Sequence, residues 1–560
     1  MKKIIALLIC AVLCLSLFAA CSKDDAGTGA DTGAGTGTGT GTGAGTGTPS
    51  SPSVGSQTTP TPGSGTDITQ PDAAPEDTTE VVFADHMEYI FADAVGMINL
   101  YNAGGGGSTH TNTCLMIYDG LFYNLPDGTS LPSLCTSYET DDYQTWIFHI
   151  RDDVKFHNGY KLTAEDVVYS WQRGKAAIGS QANNNWFQIE EGRVIDDYTV
   201  EFKTARPYGN LLFNLGTPYT SIVCKKAIEE DADDVTGYYI GSGAYKIADF
   251  SPSNYIMFER NDDYWGEIPY TKTQTWRMVT EQSARTIMLQ TGAAQLGGIG
   301  AIDMDLFLND PNFKIMQAIS NNSMSIQFNM NNRITGDLNF RLAVAYAVDI
   351  EEITLFAAGE VGVPVTDGTI WGYQVPYKNT NIPRIVRDLD KAKAYLADSI
   401  YNGEEIEYTI MSGGQNEDAA VALQDELKLV GINIRINPMD VPSFIAYTSQ
   451  PNDYTQMFTW FAGGSQNPVD TYRGFYPGTN MMGYDNPVIT EMFDQSPSIL
   501  EEAAKREHYF KMQEIVTADR PCIPLFWMQS MFAYPANAGG FVVNASADND
   551  LRYWYQIIDG

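Results

Sequence analysis

The chain has 560 residues, and its 69 acidic residues outnumber its 34 basic ones, which gives a formal net charge of −35. This acidity argues against a nucleic-acid partner and against polybasic binding to a membrane surface, because phosphate groups attract basic patches. Aromatic residues are plentiful, with 32 Tyr, 25 Phe and 9 Trp, and the chain is too long for one hydrophobic core, so we expect at least two lobes.

The first residues have the order of a secretion signal. Two lysines precede an apolar run from Ile4 to Ala20, and Cys21 follows two alanines. This pattern resembles a bacterial lipoprotein signal, in which the cysteine thiol takes a diacylglycerol group before cleavage. The resemblance implies a signal peptide over 1–20 and a lipid on Cys21, which anchors the protein at the extracytoplasmic face of the cell membrane. The alternatives are an ordinary secretion signal and an uncleaved anchor, although the run is shorter than the ~20 residues that a spanning helix needs.

Residues 21–77 are expected to form a flexible linker behind the lipid anchor. Gly, Thr, Ser and Pro dominate this segment, and a Gly-Thr repeat runs from Gly35 to Gly41. Such a composition buries too little apolar surface to offset the entropy lost on ordering. A coil of about fifty residues spans ~40 Å on average, which holds a globular body clear of a membrane.

Cysteine and histidine usage gives no sign of catalytic or metal chemistry. Four cysteines follow the anchor, and their spacing fits neither a zinc ribbon nor a dense disulfide scaffold; one disulfide and four buried thiols both remain open. The histidines show no metal-ligand spacing, and neither Gly-x-Ser-x-Gly nor Ser-x-x-Lys occurs. We therefore expect no metal, no cofactor and no enzymatic activity. The four cysteines are Cys114, Cys135, Cys224 and Cys522.

Residues 146–171 carry the clearest local pattern of the chain. Apolar residues alternate over Trp146–Ile150 as in a half-buried strand, Asn158-Gly159 predicts a turn, and Thr163 precedes two acidic residues as the cap of a helix. This segment contains Lys-Phe-His-Asn-Gly followed by Leu-Thr-Ala-Glu-Asp-Val. The sequence resembles the signature segment of the peptide- and nickel-type solute-binding proteins of ABC importers, which form family 5 of the bacterial extracellular solute-binding proteins. The resemblance favours a binding protein.

Other segments resemble the same family, in the same order along the chain. In one of them Arg341 and Asp349 are interpreted as structural residues. Helical spacing recurs at Asp390–Ala397 and Asp418–Leu429, and alternation predicts a strand at Gly431–Ile436. The matching segments are Ile117–Leu121, the hairpin at 125–132, Gly241–Lys246, Glu259–Trp265, Phe328–Asn331, Phe340–Asp349 and Pro521–Phe526.

The resemblance implies an α/β fold: a two-lobed, type II periplasmic-binding-protein-like clamshell with an extra inserted domain. Two chain crossings near Ser320 and Pro521 would form the hinge, and importers sense the closed form. The protein is expected to be a monomer that works with an ABC permease and ATPase complex. The implied division is lobe I at 78–124, 246–322 and 523–560, the inserted small domain at 125–245, and lobe II at 323–522.

The resemblance places the ligand cleft at the strand around Trp460. In the peptide-binding relatives an extended peptide pairs with short strands of both lobes, and an aspartate three residues after this tryptophan binds the peptide's α-amine. Here Gly463 stands at that position, which removes a charged hydrogen bond worth ~1.5–3 kcal/mol. Either another acid such as Asp470 binds the amine, or the ligand has no α-amine there. The expected ligand-binding residues are Ser108, Thr109, His110, Trp460, Phe461, Ala462, Gly463 and Asp470.

Alternatives remain open at this site and for the function. The glycines at 104–107 allow a ligand to approach the backbone closely or form an exposed mobile loop, and Trp460 lines the cleft or belongs to the core. The leading function is capture of an oligopeptide for import. The others are a non-peptide solute such as an oligosaccharide or metal chelate, a non-transporting receptor for peptide signals, and an envelope hydrolase, which rests on acidity and size alone.

Overall fold

The computed structural model describes residues 81–559 apart from 93–94, 96, 102–107, 126–127, 179, 232–235, 370–371, 373–374, 376, 449–455, 464–467, 479 and 542–549. The expected signal peptide, Cys21 and the linker lie outside this part. None of the described helices combines the length and the apolar composition that crossing a bilayer requires.

Strands and helices are interspersed along the chain. The strands are β1 Val82–Phe83, β2 His86–Phe91, β3 Phe122–Asn124, β4 Ser130–Pro132, β5 Cys135–Glu139, β6 Thr145–Ile150, β7 Ile189–Asp196, β8 Thr199–Thr204, β9 Tyr245–Ser251, β10 Tyr255–Arg260, β11 Thr273–Met278, β12 Leu296–Gly298, β13 Phe313–Phe328, β14 Gly362–Pro364, β15 Glu405–Met411, β16 Asn433–Met439, β17 Met457–Gly463, β18 Cys522–Pro535, β19 Ala538–Gly539 and β20 Tyr555–Asp559. The helices are α1 Ser108–Ile117, α2 Ala164–Ala176, α3 Gln181–Trp186, α4 Leu211–Asn214, α5 Lys225–Glu230, α6 Gln282–Gln290, α7 Met304–Leu308, α8 Leu338–Ala347, α9 Ile350–Ala358, α10 Leu389–Asp398, α11 Gly414–Lys428, α12 Val441–Thr448, α13 Pro468–Arg473, α14 Pro487–Gln495 and α15 Glu502–Asp519.

One mixed sheet of eleven strands runs through both lobes, in the order β16-β15-β17-β13-β18-β12-β2-β11-β10-β9 with β14 also on β18. The long strands β13 and β18 carry it from one lobe to the other. Their pairing loses register between Ile319 and Ser323, which face Gln529 and Trp527. The crossing expected near Ser320 falls at this irregularity.

The second lobe has apolar clusters on both faces of its part of the sheet. One face packs on α8 to α11 through residues such as Ile326 and Leu423, and the other packs on α12 to α15 through residues such as Phe444 and Met512. The inserted domain has a separate four-stranded sheet, β5-β6-β8-β7, with its own core around Trp146. The exact domain boundaries stay predictions.

The signature segment folds as its pattern predicts. The strand β6 buries Trp146, Phe148 and Ile150 and leaves the alternate residues partly exposed. Helix α2 follows Thr163, whose backbone N–H donates to the carboxylate of Asp166 at 2.9 Å, so that one of the free amides at the helix start is satisfied. The predicted strand and helix cap are confirmed.

Asp119 joins three of the family-like segments. Its buried carboxylate accepts hydrogen bonds from the Ser242 hydroxyl at 2.8 Å, the Tyr264 hydroxyl at 3.0 Å and the Trp265 indole N–H at 2.9 Å. Ser242 lies between two glycines that pack on the backbone preceding Asp119; a Cβ at Gly241 would lie 1.7 Å from a carbonyl oxygen there. The motifs are therefore parts of one buried junction between lobe I and the inserted domain.

His157, from the turn of the signature segment, belongs to the same junction. Its Nε2 contacts the carbonyl oxygen of Gly243 at 3.0 Å, and its Nδ1 accepts from the backbone N–H of Gly241 at 3.2 Å. Burial lowers the pKa of His157 to about 4, so the ring is neutral at pH 7. This histidine fixes the turn to the entrance of β9.

Arg341 and Asp349 have the structural contacts expected of them. The buried Arg341 guanidinium donates to the carbonyl oxygens of Thr335 at 2.9 Å and Asp519 at 2.8 Å. Asp349 caps α9, because its carboxylate accepts from the backbone N–H of Glu352 at 3.0 Å. Arg341 therefore ties α8 to the end of α15.

All four cysteines of the globular body are buried and free. Burial raises the pKa of each thiol, so that the unreactive thiol form prevails at neutral pH. Of the two alternatives that the spacing left open, the structure shows the buried thiols.

Candidate functional site

The candidate site begins at strand β17, which has one incompletely paired edge. On one side β17 pairs with β13 over Asn322–Phe328. On the other side β15 pairs in parallel only with Met457 and Phe458. In the described part of the chain, the stretch Thr459–Gly463 therefore has no strand paired with it on that side, although β15 itself continues to Met411. An extended backbone can add there through main-chain hydrogen bonds.

Trp460 lies at the start of this open edge and is half-buried. Its ring is parallel to that of Phe444 at 5.9 Å, and its carbonyl oxygen accepts from the Ser325 hydroxyl at 2.7 Å. One face of the indole thus packs on lobe II while part of it stays exposed. Phe461, Ala462 and Gly463 continue the strand, and their side chains lie outside the described part, as does that of Asp470, which is on helix α13.

The first-lobe residues of the predicted site lie at the start of helix α1. Thr109 and His110 are buried, and His110 Nε2 contacts the carbonyl oxygen of Asn99 at 3.1 Å. His110 Nδ1 has no hydrogen-bond partner among the described residues, and burial lowers the pKa of this ring, which keeps it neutral. The side chain of Ser108 and the glycines 104–107 lie outside the described part.

The structure does not bring the two halves of the predicted site into direct contact. Among the described residues, no hydrogen bond or ring contact joins Thr109 or His110 to Trp460. The role of each predicted site residue stays a prediction.

One region that sequence reasoning missed lies beside β18, at its register irregularity with β13. The ammonium of Lys378 is 2.8 Å from the carboxylate of Asp367 and 4.5 Å from the centre of the Trp527 ring. Trp527 faces Ser323 across the sheet, at the register irregularity. In the sequence, this region could have been recognised only by an isolated lysine in a stretch rich in Pro, Gly and aromatic residues.

The inserted domain contacts lobe II through one of its loops. The loop at 206–209 meets the end of α14: Arg206 donates to the carbonyl oxygen of Asp494, and the Gly209 N–H donates to that of Pro497 at 3.2 Å. The Ser498 hydroxyl donates in return to the carbonyl oxygen of Pro207 at 3.3 Å. The Arg473 guanidinium of lobe II adds a hydrogen bond to the Asn184 side chain at 3.1 Å, so the two parts are in direct contact.

The described residues offer no metal chemistry at this site. No group of three or more His, Cys, Asp or Glu side chains among them has an arrangement that could hold a metal ion. What the site does offer is strand pairing, aromatic surface and one buried cation. This combination suits the binding of a solute.

Comparison with known proteins identifies the family. The family model described as bacterial extracellular solute-binding proteins, family 5 Middle, matches residues 130–483. The chain is 25% identical to the oligopeptide-binding protein AppA of Bacillus subtilis over 448 residues, covering 74% of this chain and 82% of AppA. It is 24% identical to the glutathione-binding protein GsiB of Escherichia coli over 444 residues, with 76% and 86% covered.

A solved structure shows the same fold. The structure of Bacillus subtilis AppA in complex with a nonapeptide superposes with a TM-score of 0.71 at 22% identity, covering 85% of this chain and 99% of that one. The expected two-lobed α/β fold is confirmed. The protein belongs to family 5 of the bacterial extracellular solute-binding proteins.

Proposed function

We propose that this protein captures an oligopeptide between its lobes and delivers it to the permease of an ABC importer, from a lipid anchor on Cys21. The observation that supports a peptide ligand is the open edge of β17 at Thr459–Gly463. This edge offers main-chain hydrogen bonds to an extended ligand beside the exposed part of Trp460. The names of the relatives AppA and GsiB, which refer to an oligopeptide and to glutathione, support the same class of solute.

The glycine at position 463 sets a specific expectation for how the peptide is held. Without a carboxylate there, the α-amine is not the main handle, and acetylating the N-terminus of a nonapeptide should change its Kd by less than tenfold, or ~1.4 kcal/mol. Calorimetric titration with the free and acetylated peptides measures this. Gly463→Asp is the reciprocal variant and should favour the free amine.

A loss of several hundredfold on acetylation would contradict this expectation. Asp470 would then be the first acid to replace, since it follows the same strand. If the protein bound neither peptide, the peptide proposal would fail, and a non-peptide solute would replace it.

The lipid anchor can be tested separately from the solute. Replacing Cys21 with serine removes the thiol that accepts the diacylglycerol group, so acyl labelling and signal cleavage should both be lost in the producing cell. Cys14→Ser, within the signal peptide, is the matched control and should leave labelling unchanged. Stable retention needs two or three acyl chains, because one chain anchors only weakly. Labelling that persists in Cys21→Ser would contradict the assignment.

A further inference from the structure

The ion pair between Lys378 and Asp367 is unusual because it is buried. The two side chains are only 10% and 16% exposed, and their charged atoms are 2.8 Å apart. Asp367 also accepts the backbone N–H of Thr369 at 3.1 Å. Burial lowers the pKa of Lys378, and the neighbouring carboxylate opposes that shift. Such a buried ion pair stabilises the fold little more than apolar residues of the same size would. Stability alone therefore does not account for it.

The position of Lys378 connects it to the candidate site. Its ammonium lies 4.5 Å from the centre of the Trp527 ring. Trp527 faces Ser323 across the sheet, and Trp460 faces Ser325. Because residues two apart on a strand point to the same face, the two tryptophans lie on one face of the sheet. Lys378 therefore lies on the same face of the sheet as Trp460.

The backbone next to Lys378 is strained and firmly held. Tyr377 has a φ of 59°, a left-handed conformation that is unfavourable for a bulky residue. The buried Gln513 amide clamps both neighbours of the lysine, donating to the Tyr377 carbonyl oxygen and accepting from the Asn379 N–H, each at 2.7 Å. The Tyr377 hydroxyl donates to Glu502 at 2.9 Å. Strain maintained by so many contacts is typical of residues placed for a ligand.

We propose that Lys378 binds a carboxylate group of the captured peptide, with Asp367 as its counterion while the cleft is empty. The protein carries a net charge of −35, which repels an anionic solute group, and a buried cation over an aromatic ring compensates locally. This inference rests on the proposed peptide binding and extends it. The carboxylate comes from the C-terminus or from an acidic side chain.

The test compares matched peptides on matched variants. An acetylated nonapeptide that contains one glutamate is prepared with a free or an amidated C-terminus, and each form with Glu or Gln. In calorimetric titration the affinity of the wild type should fall at least tenfold when one of the two peptide carboxylates is removed, by amidation or by the change of Glu to Gln. The affinity of Lys378→Met should fall less than twofold on the same change of the peptide. Which removal matters identifies the source of the carboxylate.

Lys391 provides the control lysine. It pairs with Asp388 at 3.1 Å and lies 5.3 Å from the centre of the Tyr346 ring, but it is 60% exposed on α10. Lys391→Met should keep the full carboxylate preference of the wild type. A preference reduced equally in both variants would show a general effect of charge and would overturn the proposal.

Asp367→Asn keeps the proposal testable if Lys378→Met does not fold. The asparagine still accepts from Thr369, while the competing negative charge is gone, so the penalty for removing the solute carboxylate should grow. An unchanged penalty in Asp367→Asn, or no penalty in the wild type, overturns the proposal. If the wild type binds no peptide, the peptide function fails by itself. Thermal unfolding is then measured with added succinate or citrate. A rise in the melting temperature of the wild type that Lys378→Met abolishes supports the carboxylate site, and no rise in the wild type overturns it.

Discussion

Replacing Asp119 with alanine should lower the free energy of unfolding by about 3–5 kcal/mol. Asp119 is 4% exposed, and its removal leaves the donors of Ser242, Tyr264 and Trp265 buried without their acceptor. Each unsatisfied buried donor costs about 1–3 kcal/mol, less when water enters the gap, and the losses are not additive. Urea denaturation followed by circular dichroism measures the change.

The control for this variant is Asp152→Ala. Asp152 is exposed at the turn after β6, so its loss should change the free energy of unfolding by no more than about 0.5 kcal/mol. A loss below about 1 kcal/mol for Asp119→Ala would contradict the role of Asp119 as the centre of the junction.

Replacing Trp460 with alanine should weaken nonapeptide binding about 100-fold while it lowers the melting temperature only slightly. A tryptophan at the centre of an interface contributes about 2–4 kcal/mol on truncation, whereas this indole is already partly exposed in the empty protein. Calorimetric titration and thermal unfolding on the same preparation separate the two effects.

The matched variant is Trp276→Phe in the core of lobe I, where the tryptophan is fully buried. It should lower the melting temperature and leave the Kd within about twofold, because it lies away from β17. If Trp460→Ala lost stability and affinity in proportion, the core interpretation of Trp460 would be correct.

Local pattern predicts much of this fold. The alternation at Trp146–Ile150, the cap at Thr163 and the helical spacing at Asp390–Ala397 all correspond to elements of the structure, because each depends on neighbours within a few residues. The order of the family-like segments then identified the architecture. What pattern could not show is why Asp119 is there: its three donors come from segments more than a hundred residues away in sequence.

The candidate site was predicted only in part, for the same reason. Trp460 was identified from its resemblance to relatives. Its open strand edge, however, depends on where the pairing between β15 and β17 ends. The surroundings of Lys378 consist of Asp367, Trp527 and the strained Tyr377. Neither a left-handed backbone conformation nor a cation over an aromatic ring can be recognised from the spacing of residues in the sequence.

The contact between the loop at 206–209 and the end of α14 bears on the thermodynamics of the empty protein. It consists of three hydrogen bonds, from Arg206, Gly209 and Ser498, to carbonyl oxygens that water can solvate equally well when the lobes separate. We expect bending at the register irregularity of β13 to break these hydrogen bonds, together with the one from Arg473 to Asn184, at little cost in free energy. We therefore predict that unliganded molecules populate both an open and a closed state. A solute whose contacts exist only in the closed state raises the ratio of closed to open molecules about 100-fold for every 2.8 kcal/mol that those contacts contribute. The fraction of closed molecules then follows the occupancy of the site.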